Sequence, residues 1–113
     1  MQFADRAARN EEIFRSVNTG IEAGALHHHV TRPLPFHCEC SSASCVETLS
    51  ISPHDYERVM KERYRFVVIP GHENAQVERV VENNDVFLVV EKTGEARKAI
   101  DRDHPRNDNA ADS

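Results

Sequence analysis

The sequence predicts a small α+β domain that is stabilised by a metal ion. Three observations lead to this fold class: an amphipathic pattern near the N-terminus, short valine-rich runs in the second half, and a cluster that contains all three cysteines. We expect an N-terminal helix, a three- to four-stranded and mostly antiparallel sheet, and one helix packed on that sheet. The 113 residues are enough for one domain, and a structural metal would support a core that contains only 6% aromatic residues.

The chain begins with a predicted amphipathic helix, within an N-terminal segment of residues 1–26. A stripe with alternating spacings of four and three residues runs along it, and charged residues fall mostly between the stripe positions. The stripe consists of Phe3, Ala7, Asn10, Phe14, Val17 and Ile21. We expect the helix to run from Ala4 to about Asn18, because Gly20 weakens it, and we expect the stripe to pack on the domain's own sheet.

The segment from Ala23 to Pro35 is predicted to be a linker. It contains a glycine, two prolines and three successive histidines, a composition that is typical of loops. We interpret the histidine run, residues 27–29, as a solvent-exposed tract rather than a metal site. The cysteine loop and the sheet are expected to occupy residues 27–100.

A metal site is indicated by Cys38, Cys40 and Cys45, which form a Cys-x-Cys-x4-Cys pattern. Alternate side chains of an extended backbone share a face, so the sulfurs of Cys38 and Cys40 should converge while Glu39 points the other way, toward solvent. The small residues before Cys45 allow a turn in which backbone N–H groups approach the sulfurs. Free cysteines are usually buried among apolar residues, whereas these lie among polar ones, which favours a metal site over incidental thiols. The odd number of cysteines disfavours a disulfide framework.

The fourth ligand of the predicted site is a histidine. Closed zinc sites have four nitrogen or sulfur ligands, and Cys3His is an accepted set. His72 follows a predicted strand at the Pro70-Gly71 turn, where its side chain can be directed toward a neighbouring loop. The predicted metal ligands are therefore Cys38, Cys40, Cys45 and His72, with zinc as the expected metal and a [2Fe-2S] cluster as the alternative.

A short strand and a capped helix are predicted after the cysteines. The strand spans residues 46–51, and its candidates for burial are Val46, Leu49 and Ile51. The helix begins with Ser52 as N-cap and Pro53 at the first helical position, and it is expected to end near Glu62. Its predicted inner face consists of Tyr56, Val59 and Met60.

The second half of the chain predicts a buried strand and a hairpin. The run 66–69 is apolar and ends at a Pro-Gly turn. Residues 76–82 fit a helical turn or a strand, and their valines and the following Asn-Asn-Asp favour a hairpin that leads into residues 86–91. The longest apolar run, 86–90, is predicted to be a central strand that is covered on both faces. The polar tail, residues 101–113, is predicted to be disordered.

Charge and hydropathy limit the partners that we expect. The net charge of -5 disfavours binding to nucleic acid or to anionic membranes. The sequence contains no run of about 18 apolar residues, and its N-terminus lacks the apolar region of a signal peptide. We therefore expect a soluble, cytoplasmic protein, in a compartment where thiols stay reduced, that acts through a protein partner.

Five short motifs lie between Phe36 and Lys92. They are Phe36-x-Cys38-Glu39-Cys40-x4-Cys45, Leu49-x2-Ser52-x3-Tyr56, Phe66-x-Val68-x-Pro70-Gly71-His72-Glu73, Val77-Glu78-x-Val80-Val81-Glu82 and Val89-Val90-Glu91-Lys92. The combination resembles a family of small, largely uncharacterised bacterial proteins that is familiar from actinobacteria, and the resemblance covers roughly residues 9–106. This resemblance implies a common fold, with the cysteine, histidine and glutamate residues as its signature, and it implies no known activity.

Three classes of function fit these residues. The first is a zinc-stabilised interaction or regulatory module, in which four protein ligands close the coordination sphere. The second is a redox sensor or iron–sulfur protein with the same ligands. It resembles the CDGSH-type [2Fe-2S] proteins in its Cys-x-Cys start but not in the distant position of His72. The third is a zinc-dependent hydrolase with Glu73 as general base. We favour the first class, with no catalytic residues.

Overall fold

The structure is a computed structural model that describes residues 3–40, 42 and 44–103, with side chains from residue 13 to residue 102. Its elements are α1 (Phe3–His27), β1 (Leu34–His37), β2 (Thr48–Ile51), α2 (Pro53–Met60), β3 (Arg65–Val68), β4 (Glu78–Asn83), β5 (Leu88–Lys92) and α3 (Gly94–Asp103). The predicted α+β class, the N-terminal helix and the packed helix are confirmed. The strands are divided between two antiparallel sheets, because β1 pairs with β2 while β3, β5 and β4 form a three-stranded sheet.

The two sheets meet beside the cysteines. In the larger sheet β5 is central and forms a hairpin with β4, as the sequence predicts. Just after β1 the chain passes next to β3, where the N–H of Glu39 donates to the carbonyl oxygen of Val67 at 2.8 Å. The strand that leads into the cysteine loop therefore lies against the edge of the larger sheet.

The hydrophobic core lies between these sheets and helix α2. Phe36 of β1 stacks on Tyr56 of α2 with ring centroids 4.6 Å apart, and both rings are fully buried. Leu49 and Ile51 are buried as predicted. Val46 is not, since it precedes β2 and its side chain is 82% exposed. Successive side chains of an extended strand alternate between its faces, so Val46 falls on the face opposite Leu49 and Ile51, which is the exposed one.

Helix α1 is longer than the predicted helix, and its buried face coincides with the predicted stripe only in part. It continues through Gly20 to His27, so that residues 28–33 alone connect it to β1. Its buried residues are Asn18, Glu22 and Ala25, with Ile21 half-buried, whereas Val17 of the predicted stripe is 51% exposed. Burial of this face explains why the helix continues through Gly20 and Gly24, because it offsets the loss of helix stability of about 1 kcal/mol that each glycine causes. The side chains of Phe3, Ala7 and Asn10 lie outside the described residues.

The two shorter helices differ in how well the sequence predicts them. Helix α2 begins as expected, because the Ser52 hydroxyl accepts a hydrogen bond from the N–H of Asp55 at 3.2 Å. Helix α3 is not predicted, since its buried face contains only Ala96, Ala99 and Ile100 within a polar segment, and this face packs mainly against α1. Residues 101–103 of the predicted disordered tail complete α3, and residues 104–113 lie outside the described part of the chain.

Candidate metal centre

The four predicted ligands lie together in the structure. Cys38 and Cys40 follow β1, Cys45 precedes β2, and His72 follows β3. Their potential ligand atoms, three sulfurs and one imidazole nitrogen, are all within 4.8 Å of one another. Residues that are far apart in sequence thus form one cluster where the two sheets meet.

The distances within this cluster fit a tetrahedral ion. His72 Nδ1 lies 3.6 Å from Cys38 Sγ and 3.7 Å from Cys45 Sγ. Zinc bonds of about 2.0–2.1 Å to nitrogen and about 2.3 Å to sulfur place two ligand atoms of a tetrahedron about 3.6 Å apart. One ion at the centre would therefore reach these atoms at normal bond lengths.

Backbone N–H groups are directed at the sulfurs, as the small residues of the loop predict. The N–H of Ile69 donates to Cys38 Sγ at 3.3 Å. Backbone hydrogen bonding from Ser42 also lowers the pKa of Cys40, and that from Glu47 opposes the rise that burial causes in the pKa of Cys45. Hydrogen bonds of this kind stabilise thiolates and orient them toward a metal.

The electrostatics of the cluster favour a bound cation. A hydrogen bond from the Cys38 thiol lowers the pKa of Cys40, and the same bond together with burial raises the pKa of Cys38. Burial also raises the pKa of Cys45. Without a cation the cluster therefore stabilises one thiolate at the expense of the others. A divalent cation would allow all three sulfurs to ionise.

The second ring nitrogen of His72 contacts Glu47, a residue that the sequence did not predict to be part of the site. His72 Nε2 lies 3.3 Å from Glu47 Oε2, so the ring is oriented with Nδ1 toward the sulfurs. A carboxylate on the second ring nitrogen is a common support for metal-binding histidines. Glu73, the residue considered as a general base, instead accepts a hydrogen bond from the N–H of Gly71 at 2.8 Å. The position of Glu47 two residues after Cys45 is the one sequence signal for its role.

Glu39 points away from the sulfurs, but the prediction that it faces solvent is wrong. Its side chain is 1% exposed, and its carboxylate accepts hydrogen bonds from Tyr56, Asn18 and the N–H of Val67. Burial raises its pKa, and these hydrogen bonds partly offset that effect. The face opposite the sulfurs is covered by α1 and α2, which a pattern of alternating residues cannot reveal.

The remaining histidines do not join the cluster. His37 is stacked on Phe14 with ring centroids 4.0 Å apart, and its Nδ1 lies 2.7 Å from the carbonyl oxygen of Cys38. His54 and the run 27–29 are exposed, as predicted, and His104 lies outside the described residues. In the described part of the chain, the cysteine and His72 cluster is the one group of three or more potential ligands that a single ion could bridge.

Comparisons with protein-family models, with curated proteins and with solved structures find no match to this chain. Among the described residues, no helix has both the length and the apolar character that are needed to cross a membrane. The cluster of Cys38, Cys40, Cys45 and His72 is therefore the feature of this chain that bears on its function.

Proposed function

We propose that this protein binds one zinc ion through Cys38, Cys40, Cys45 and His72, and that the ion is structural. The observation that carries the proposal is the convergence of three sulfurs and one imidazole nitrogen within 4.8 Å. The zinc-stabilised domain acts in the cytoplasm as an interaction or regulatory module with a protein partner. We also propose membership of the actinobacterial-type family, whose motifs include these same four residues.

Two observations support a structural rather than a catalytic ion. Four protein ligands fill a tetrahedral coordination sphere, so no position is left for a reactive water. In addition, the carboxylate of Glu73 is engaged by the backbone of its own turn. The hydrolase alternative requires both an open position and a base that faces it.

The first experiment is elemental mass spectrometry and visible absorption of untagged protein, before and after treatment with a chelator. We expect one zinc per chain and no visible absorption, because zinc has a filled d shell. Iron with visible charge-transfer bands would replace the proposal with the redox alternative. A chain without metal that also fails to take up added zinc would overturn it.

Variants test the ligand assignment. Cys40→Ser should lose zinc and be strongly destabilised, since the binding energy of such a site is folding energy. Ser42→Ala is the matched control in the same loop, and it should retain zinc because its exposed hydroxyl contacts Ser44. His72→Cys should still bind zinc and should change the absorption spectrum of the cobalt-substituted protein. A zinc content of one per chain in Cys40→Ser, with unchanged thermal stability, would contradict the assignment.

A further inference from the structure

A buried side chain of helix α1 is hydrogen-bonded to the end of β1, just before the first two cysteines. Asn18 is fully buried, and its Nδ2 donates to the carbonyl oxygen of His37 at 2.8 Å and to Glu39 Oε2 at 2.9 Å. Its Oδ1 accepts from the N–H of His37 at 2.7 Å. Asn18 thus bonds both polar groups of the His37 backbone, as a neighbouring strand would. Cys38 lies between the two residues that Asn18 contacts.

Glu39 connects the same strand to the rest of the core. Besides Asn18, its Oε2 accepts from the Tyr56 hydroxyl at 2.5 Å, and its Oε1 accepts from the N–H of Val67 at 3.0 Å. Two residues after Val67, just past the end of β3, the N–H of Ile69 donates to Cys38 Sγ. One face of this short segment therefore binds the proposed ion, and the other face binds α1, α2 and β3.

We infer that Asn18 is a positioning residue of the metal centre, and that occupancy of the centre controls how firmly helix α1 is docked. The inference rests on the proposed zinc site and identifies how that site is regulated. An ion that holds Cys38 and Cys40 also orders the backbone at His37 and Glu39, to which Asn18 must bond. Ordering these groups in advance reduces the entropy that docking of α1 costs.

The coupling acts in both directions. If the docked helix raises the affinity for zinc by some factor, bound zinc favours the docked helix by the same factor. Loss of the metal should therefore loosen α1 on the domain surface. Helix α1, which the sequence predicts as a separate N-terminal segment, is therefore the element whose docking depends on the bound metal.

The first test measures metal affinity in Asn18→Leu. Leucine has the same number and branching of heavy side-chain atoms as asparagine and a higher helix propensity, so weakened helix formation cannot explain a loss of affinity. We expect about a tenfold weaker affinity for zinc, in the range for residues that support metal ligands, when zinc is titrated against a chromogenic chelator. The cobalt-substituted variant should also show a changed absorption spectrum. Ser16→Leu, the same new side chain on the exposed face of α1, should match the wild type.

The second test follows α1 by amide hydrogen exchange. Chelation of the wild type should lower the protection of residues 18–27 more than that of the β4–β5 hairpin. Zinc-loaded Asn18→Leu should show the same loss in α1. In a double-mutant cycle with Glu39→Gln the two affinity losses should be less than additive, since both variants break one network.

Four results would overturn the inference. Unchanged zinc affinity in Asn18→Leu, or protection of α1 that does not depend on zinc, would do so and leave the zinc site intact. Val90→Ala removes buried volume from the central strand, away from this network. If it weakens zinc binding as much as Asn18→Leu, general destabilisation explains the effect. A wild-type protein that binds no zinc would overturn both the inference and the proposed function.

Discussion

At the residue scale, buried polar side chains differ in how well their hydrogen bonds are satisfied. Glu39 accepts three hydrogen bonds from neighbouring side chains and backbone. Glu22, one turn further along α1 than Asn18, is only 7% exposed, yet its Oε2 has no hydrogen-bond partner among the described residues. A buried acceptor without a donor costs about 1–3 kcal/mol. Glu22 is thus a site where a substitution should stabilise the domain.

Glu22→Gln should stabilise the protein at neutral pH by about 1 kcal/mol, because it removes a buried charge while it keeps the volume. Burial, and next the carboxylate of Glu57, raise the pKa of Glu22 above its ordinary value of 4.5. The folded state therefore binds this proton more tightly than the unfolded state, so the wild type loses stability as the pH rises through the raised pKa. The advantage of the variant should grow as the pH rises from 4.5 through the raised pKa and should then level off, measured by urea unfolding with saturating zinc.

Glu57→Gln is the control for this prediction. Its carboxylate is exposed and is the smaller cause of the shift, so its removal should stabilise the protein less than Glu22→Gln. A difference between Glu22→Gln and the wild type that stays constant across the pH range would contradict the titration of Glu22.

At the element scale, the histidine run ends helix α1. The N–H of Val30 donates to the carbonyl oxygen of Ala25 at 2.8 Å, and the N–H of His29 donates to that of Leu26 at 3.2 Å. These are the two hydrogen bonds of a Schellman motif, in which the residue after the C-cap adopts a left-handed conformation. His29 occupies that position with φ of 57°. The run is thus a helix terminus, which agrees with its exposure.

His29→Gly should stabilise the protein by about 1 kcal/mol, since glycine adopts this conformation without the steric cost of a Cβ atom. His28→Gly is the matched control, because His28 has no positive φ and glycine there adds only flexibility to the unfolded chain. Thermal unfolding of the two variants at equal zinc concentration should shift in opposite directions. Destabilisation by His29→Gly would show that the histidine side chain itself contributes to the terminus.

The β4–β5 hairpin contains a buried ion pair at its open end. Glu78 and Lys92 are opposite each other in the register, and the Lys92 ammonium donates to Glu78 Oε2. It also lies 5.5 Å from the ring centroid of Phe66, and the Lys92 side chain is fully buried. Glu78 Oε1 accepts from the N–H of Asn74 at 2.7 Å. The ammonium of Lys92 and the carboxylate of Glu78 are both shielded from water, so each charge is stabilised by the other.

Lys92→Met should cost about 3–5 kcal/mol, because it leaves the Glu78 carboxylate buried without its cation. The double variant Lys92→Met/Glu78→Gln should recover much of this loss, since a neutral amide can still accept from Asn74. Urea unfolding of both variants and of Glu78→Gln alone completes the cycle. A double variant less stable than Lys92→Met would contradict this account of the pair.

At the scale of the whole molecule, the proposed ion links the two sheets. Three ligands flank the β1–β2 pair, and His72 follows β3 of the larger sheet. The sheets are also joined by the hydrogen bonds of Glu39 with Val67 and by the shared hydrophobic core. An ion at this junction would join parts of the chain that are distant in sequence.

Stability should therefore depend on the concentration of free zinc. A ligand that binds only the folded state adds about 1.4 kcal/mol for each tenfold rise in its concentration above Kd. Urea unfolding in zinc buffers should show this slope for one ion, and excess chelator should destabilise the protein reversibly. Cys40→Ser should show no zinc dependence. A wild type whose unfolding midpoint is the same with zinc and with chelator would contradict a structural role.

Local patterns in the sequence were sufficient wherever a short segment carries its own signal. Ser52 and Pro53 define the start of α2 through hydrogen bonding and a preset φ, both of which act within one turn. The valines of 76–91 and the Asn-Asn-Asp turn between them similarly define the hairpin. The cysteines and His72 were grouped correctly as neighbours because thiols and an imidazole among polar residues favour a shared site.

The tertiary structure decided which residues of each helix and strand are buried. Gly20 and Gly24 favour termination of α1, yet burial of Asn18 and Ala25 extends the helix to His27. Helix α3 forms because Ala99 and its neighbours on that face meet α1. Glu39 is buried for the same reason, since α1 and α2 cover its side of the chain. A sequence pattern gives the periodicity of a segment, but burial depends on surfaces that come from distant parts of the chain.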